Sequence, residues 1–278
     1  MKQPRDRSQG FTLIEVVIVL AVLAAVIGLM APNLFGLVEA DRERETQEKA
    51  EEIFRAIFGN PAQGEFGYLG DMGRLPTSLS ELVEQGNQLA FHTADGGIEH
   101  VGKLGTGWRG PYLKSFFSTA DLFLDSWGRP FDFQNGQIIS LGPDGVSGTT
   151  DDIVFPLHAP PTTGRLFVSV LGNQIPGPLG ATAKLYSPLD GEQAVTPTRK
   201  HLPGGLRFDG FVFENVTHGL HALVVAHTGQ GGGGGGPCST VARTVIVPVH
   251  AGQSVLKEVR MLTGAVVSVT ANPCAIPD

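Results

Sequence analysis

The hydrophobic pattern divides the chain into four parts. Residues 11–31 are apolar except for Thr12 and Glu15, and a helix of that length rises ~31 Å, about one hydrocarbon core. This predicts a membrane-spanning helix over 11–31. Residues 39–55 then mix both charge signs, with Glu45 to Lys49 and Glu51 to Arg55 at the i,i+4 spacing that supports a solvated helix face. Ala50, Ile53, Phe54, Ile57 and Phe58 recur at helical spacing, an apolar stripe able to lie on a sheet. Asn60-Pro61 marks a stop, so one helix of ~72 Å runs from Phe11 to about Phe58. Residues 61–155 are rich in glycine and aromatics and read as loops and short strands, with a helical turn over 80–85 capped by Ser78 or Ser80. Pro156, Pro160 and Pro161 stiffen a linker over 156–163. Beyond it, β-rich runs recur at 165–171, 183–186, 206–213, 221–226, 241–249, 255–261 and 265–270, with Leu166, Val168 and Val170 alternating. The fold class expected is α+β: a long N-terminal helix (11–60) packed on a small β-sheet head (61–155), followed by an all-β sandwich (164–278).

The 278 residues suffice for two modest cores. With 38 glycines and 19 prolines, turns are too frequent for an all-helical bundle. A net charge of −7 offers no footprint for a phosphate backbone, so no nucleic-acid partner is expected. Two cysteines, Cys238 and Cys274, are too few for a cysteine-rich zinc module or an iron–sulfur cluster. Lys2, Arg5 and Arg7 outweigh Asp6 before the apolar run, which makes that flank cytoplasmic by the positive-inside rule.

Glu15 needs an explanation, because a carboxylate inside such a run costs at least ~2.5 kcal/mol on insertion scales. A cleaved secretory signal would need a small-residue site after the run, and none stands out. A plain signal anchor gives the carboxylate no purpose. Cleavage before the run, at Gly10, would place Glu15 near a new amino terminus, where the amine of Phe11 on one subunit pairs with Glu15 of a neighbour when helices pack together.

The run Gly10-Phe11-Thr12-Leu13-Ile14-Glu15 after a short basic leader resembles the class III signal of type IV pilins and pseudopilins. The resemblance implies a leader peptide over 1–10, cut between Gly10 and Phe11 by a prepilin peptidase that methylates the Phe11 amine. Glu15 and Pro32 then act in assembly, Pro32 favouring a kink or local melting. Further on, Gly73-Arg74-Leu75-Pro76, Trp108-Arg109-Gly110-Pro111-Tyr112-Leu113 and Asp125-Ser126-Trp127-Gly128-Arg129-Pro130-Phe131 resemble the head of the major pseudopilin of type II secretion systems. This likeness covers roughly the first 155 residues, and residues 84–107 carry no family motif. It implies a structural subunit of a pseudopilus, engaged in protein export. Its expected partners are the prepilin peptidase, further copies of itself, minor pseudopilins and an inner-membrane assembly platform. The chain would cross the inner membrane once, with its C-terminal region in the periplasm, before entering an extracytoplasmic filament.

The loop over 140–153 contains Asp144, Asp151 and Asp152 among four glycines and prolines that let it curl. Calcium takes six to eight oxygens from carboxylates and carbonyls, and this loop holds both, although its spacing is not that of an EF-hand. Read from the residues alone, a plain Gly/Asp turn serves equally well. The resemblance implies Ca²⁺, held by Asp144 and Asp151 with main-chain oxygens of Leu141 and Ile153. Ser147 and Asp152 are further candidates.

In the C-terminal region, Phe211 to Val225 is similar to the signature strands of carboxypeptidase-regulatory-like, transthyretin-like sandwiches, with His221 where an aromatic is more usual. Such modules are stalks, spacers or ligand binders. Strand spacing puts His218 and His221 on opposite faces, against a zinc site with His227. Residues 231–236, all glycine, lack the Lys-Ser/Thr of a phosphate loop and read as a flexible tip. An oxidising compartment would join Cys238 to Cys274, worth roughly 3 to 4 kcal/mol in the chain-entropy model. No nucleophile elbow, zinc-protease helix or nucleotide loop is present, so no enzymatic activity is expected. Two rival readings follow from the extra domain: a type IV pilus subunit or minor pilin whose sandwich binds a surface partner or glycan, and a simple anchored binding module indifferent to Glu15→Ala.

Overall fold

Helix α1 (Leu13–Phe58) leads the computed structural model, which describes residues 12–94, 104–114, 120–172, 181–195, 199–203, 208–229 and 239–261. Its 46 residues rise ~69 Å. Helical backbone continues through Pro32, where a kink or local melting is expected on assembly. A proline deletes one hydrogen bond, which bends a helix more readily than it ends one. From Leu13 to Ile27 the apolar side chains are exposed, Leu13 by 83%. No helix among the described residues is long and apolar enough to cross a membrane. The run read as a span starts at Phe11, outside the described residues.

Farther along α1, Lys49 pairs with Glu45 at 3.2 Å and Arg55 with Glu51 at 3.4 Å, keeping one face solvated. The opposite stripe, Ala50, Ile53, Ile57 and Phe58, is buried as its spacing predicts. It packs with Tyr68, Leu69 and Met72 of α2 (Gly67–Met72) and with Ile138 of the sheet formed by β3 (Asp132–Gln134), β4 (Gln137–Ser140) and β5 (Ile153–Phe155), which are antiparallel in that order. Each large side chain so buried contributes roughly 1.5 to 3 kcal/mol. A short pair, β1 (His92–Ala94) and β2 (Leu104–Thr106), flanks this head. The helical turn expected over 80–85 is a 3₁₀ turn at Leu79–Leu82, with Ser78 in the cap position but making no cap hydrogen bond. Four residues form too short a run for the α pattern to pay back its nucleation.

Among the described residues the C-terminal lobe holds eight strands: β6 (Thr163–Gly172), β7 (Ala181–Leu189), β8 (Glu192–Val195), β9 (Arg199–Pro203), β10 (Phe208–Thr217), β11 (Gly219–Gly229), β12 (Ser239–Val249) and β13 (Ser254–Met261). They form two sheets, ordered β13-β6-β10-β9 and β12-β11-β7-β8. Alternate residues of both point into one core, including Leu166, Val168 and Val170 of β6, Leu185 of β7, Phe211 and Phe213 of β10 and Val247 of β12. Strands β8 and β9 are absent from the pattern reading. The run read at 265–270 lies outside the described residues.

Residues 156–163 join two lobes that meet along a packed seam. Leu104 of the head is buried with Tyr186, Ala222 and Val224 of the second lobe. The Asp190 N–H donates to the Met72 carbonyl at 2.8 Å, the Thr106 hydroxyl donates to the Glu192 carbonyl at 3.3 Å, and Arg74 forms an ion pair with Asp190. His218 sits in the β10–β11 turn, rather than on a strand face. Its Nε2–H donates to the Phe58 carbonyl at 2.9 Å, while Nδ1 accepts from the Ala251 N–H at 3.1 Å, an assignment that follows from the second bond. Gly73, at φ +72°, lies so close to the second lobe that a Cβ would stand 1.9 Å from the Pro188 carbonyl oxygen.

Candidate functional site

The loop over 141–152 bridges adjacent strands β4 and β5, whose Ser140 and Ile153 are cross-strand partners. Gly142 at φ +60° lets the chain turn back so tightly that a Cβ there would meet the Asp151 carbonyl oxygen at 2.2 Å. Asp144 and Asp151 are thereby brought together: the Asp144 N–H donates to Asp151 Oδ2 at 3.2 Å, and the Val146 N–H to Asp144 Oδ1 at 2.7 Å. The Thr149 hydroxyl, followed by the Asp144 N–H, holds the Asp151 carboxyl below its ordinary range. The Leu141 carbonyl accepts from Gly145 N–H at 3.0 Å and has a second lone pair. Asp152 Oδ2 accepts from Gly148 N–H at 2.7 Å, whereas its Oδ1 is buried without a hydrogen-bond partner.

This donor chemistry, carboxylates and carbonyls on a tight loop with one orphaned carboxylate oxygen, fits a hard divalent cation. No group of three or more His, Cys, Asp or Glu side chains poised for a metal ion occurs among the described residues. Main-chain oxygens would therefore have to complete the coordination.

A turn at 125–129 braces this loop. Asp125, buried, accepts from the N–H groups of Trp127 and Arg129 at 3.0 and 2.9 Å and from the Ser140 hydroxyl at 2.7 Å. Arg129 donates to the carbonyls of Gly142 and Pro143, the latter at 3.0 Å. The same turn touches α1, through Ser126 N–H to Thr46 Oγ1 and Trp127 Nε1–H to Glu39 Oε1. The sequence shows residues 125–131 as a motif, but gives no sign of the bonds from Ser126 to Thr46 and from Trp127 to Glu39.

At the other end of the molecule, Glu15 lies exposed in the first turn of α1, among exposed Leu13, Ile14, Val16 and Val17. Its charge there complements the helix dipole, and among the described residues it has no ion-pair partner. Gly10 and Phe11, like Cys238, Cys274 and residues 231–236, lie outside the described residues. An open cleft of about 410 Å³ on the seam is lined by Arg74, Glu81, Gln88 and Asp190. Its polar groups are spent on each other: Arg74 pairs with Glu81 at 2.9 Å, and Tyr68 binds Glu81 and, at 2.6 Å, Gln88.

The model of the prokaryotic N-terminal methylation motif matches residues 5–31. The type II secretion system core protein G of Klebsiella pneumoniae is 31% identical over 154 residues, which cover 53% of this chain and 94% of that protein. The chain belongs to the core protein G family. Its likeness to the core protein G of Aeromonas hydrophila is similar, 31% over 156 residues, with 54% of this chain and 92% of the relative covered. For the protein of Pectobacterium carotovorum the figures are 30% over 159 residues, 53% and 83%. No solved structure matches the chain significantly. The aligned lengths are close to that of helix and head together.

Proposed function

We propose that this chain is a pseudopilin subunit of a type II secretion system, a structural rather than catalytic component of protein export. The observation that carries this is the match to core protein G over nearly the whole length of the relatives, joined to a methylation motif at the amino terminus. In this reading a prepilin peptidase removes residues 1–10 and methylates Phe11. The run 11–31 holds the subunit in the inner membrane, with head and second lobe on the periplasmic side, until an assembly platform draws it into a filament with other pseudopilins. The exposed apolar surface of α1 from Leu13 to Ile27 supports this, since such a surface is stable only in lipid or against neighbouring helices. Glu15 gains its partner, the Phe11 amine of a neighbour, only on assembly.

The proposal extends to calcium at the β4–β5 loop, on Asp144, Asp151 and the carbonyls of Leu141 and Ile153. The facing acids and the orphaned Asp152 oxygen support it. The ion would supply the positive charge that lets the two carboxylates stay close. The eight-stranded lobe is proposed to be a β-sandwich module that this subunit carries in addition to the pseudopilin part.

Intact mass and N-terminal sequencing of membrane-extracted protein, produced with and without a prepilin peptidase, test the reading. A chain beginning at N-methylated Phe11 is expected only with the peptidase. Retention of residues 1–10 beside an active peptidase would overturn processing and the role given to Glu15. Glu15→Ala should insert in the membrane normally yet assemble poorly, scored as filament yield after shearing.

A further inference from the structure

The turn at 125–129 is bonded both to α1 and to the β4–β5 loop. Toward α1, Ser126 N–H meets the hydroxyl of Thr46, a residue with no exposed surface, at 3.2 Å. Trp127 Nε1–H meets Glu39 Oε1 at 3.0 Å, and the other Glu39 oxygen lies 3.9 Å from Arg42. Toward the β4–β5 loop, Arg129 grips the carbonyls of Gly142 and Pro143, and its guanidinium lies so close over Gly145 that a Cβ there would come within 2.8 Å of it. Between the two sides stands one carboxylate. Asp125 closes the turn through the N–H groups of Trp127 and Arg129 and reaches Ser140, the last residue of β4. Ser140 Oγ in turn accepts from Gly142 N–H at 3.2 Å, at the start of the loop.

We propose that this turn couples the β4–β5 loop to residues 39–46 of α1, so that an ion in the loop stiffens the junction between helix and head, with Arg129 and Trp127 as positioning residues. The ion dependence rests on the calcium reading above; the coupling through the turn stands on the hydrogen bonds alone. Bonds from both sides converge on one turn that Asp125 closes, so a displacement at either end is passed to the turn as a whole. Residues 39–46 lie between the exposed apolar part of α1 and its buried stripe. The brace therefore acts where the helix passes from its free length to the head.

The test is hydrogen–deuterium exchange of the full chain in detergent, with calcium or EGTA, alongside calorimetric titration with calcium alone. Calcium is expected to bind and to slow exchange severalfold in both 141–152 and 39–46. Trp127→Phe, which keeps an aromatic ring and loses the N–H, should retain calcium binding and loop protection while losing the calcium effect at 39–46. Arg129→Gln should speed exchange at 39–46 even in EGTA. Protection of 141–152 with no change at 39–46 would overturn the coupling and leave the calcium reading intact. Absence of calcium binding would overturn the ion dependence, and unchanged exchange at 39–46 in Arg129→Gln would then overturn the coupling itself.

Discussion

Acid should weaken the C-terminal lobe through one buried imidazole. His221 on β11 has no exposed surface; its Nε2 bonds the Thr217 carbonyl at 2.7 Å and its Nδ1 bonds the Ser187 hydroxyl at 2.9 Å. Burial, opposed in part by the Thr217 bond, pulls its pKa down from 6.5 to about 4. The folded-state value lies below the unfolded one, so between those pH values the unfolded chain binds the proton that the folded chain refuses. Stability from this residue is complete above about pH 6.5 and falls as the pH drops through about 4. At about pH 4.5 the loss is about 2.5 kcal/mol, a large share of the 5 to 15 kcal/mol typical of a domain. Urea unfolding of the full chain in detergent at about pH 7 and about pH 4.5, followed by far-ultraviolet circular dichroism, should reveal it by comparison with His221→Phe. That variant forfeits two hydrogen bonds of about 1 kcal/mol each at neutral pH but has no proton to take up. Titrating carboxylates are common to both proteins and cancel, so the stability difference should move by about 2.5 kcal/mol in favour of the variant on acidification, which closes the neutral-pH gap. An equal gap at both pH values would refute the reasoning.

At the seam, Gly73→Ala must place a Cβ at positive φ and against the Pro188 carbonyl. It should cost at least about 2 kcal/mol and expose residues 156–163 to limited proteolysis, whereas a wild-type digestion rate would show that the lobes part freely. Asp151→Ala should lower the melting temperature of the head by about 5 °C in calcium and by much less in EGTA. An identical shift in both buffers would assign Asp151 a role in loop folding without an ion.

Legibility in the sequence followed the range of the interactions. The buried stripe of α1 is a repeat within one helix, and the alternation of Leu166, Val168 and Val170 is a repeat within one strand, so both could be read locally. The curling loop between β4 and β5 was likewise evident from its glycines and acids. Strands β8 and β9 were not, because Glu192–Val195 and Arg199–Pro203 are short, carry charged residues and lie at sheet edges, where alternation is weakest. Nothing in the pattern couples Trp127 to Glu39, 88 residues away. The seam was hidden for another reason: part of it is a close backbone approach at Met72, Gly73, Pro188 and Asp190, which leaves no signature in side-chain hydropathy.

The seam also governs what a polymer of this subunit would look like. A lobe tethered by a slack linker would blur into a halo around a filament, invisible to helical averaging. Here the second lobe is clamped to the head by Asp190, His218 and Gly73, and the head in turn is fixed to α1 by its buried stripe. Every copy would therefore inherit the same azimuth and height for its lobe. A filament laid down through α1 would present the lobes as an ordered lattice, with a diameter and surface periodicity set by the subunit itself.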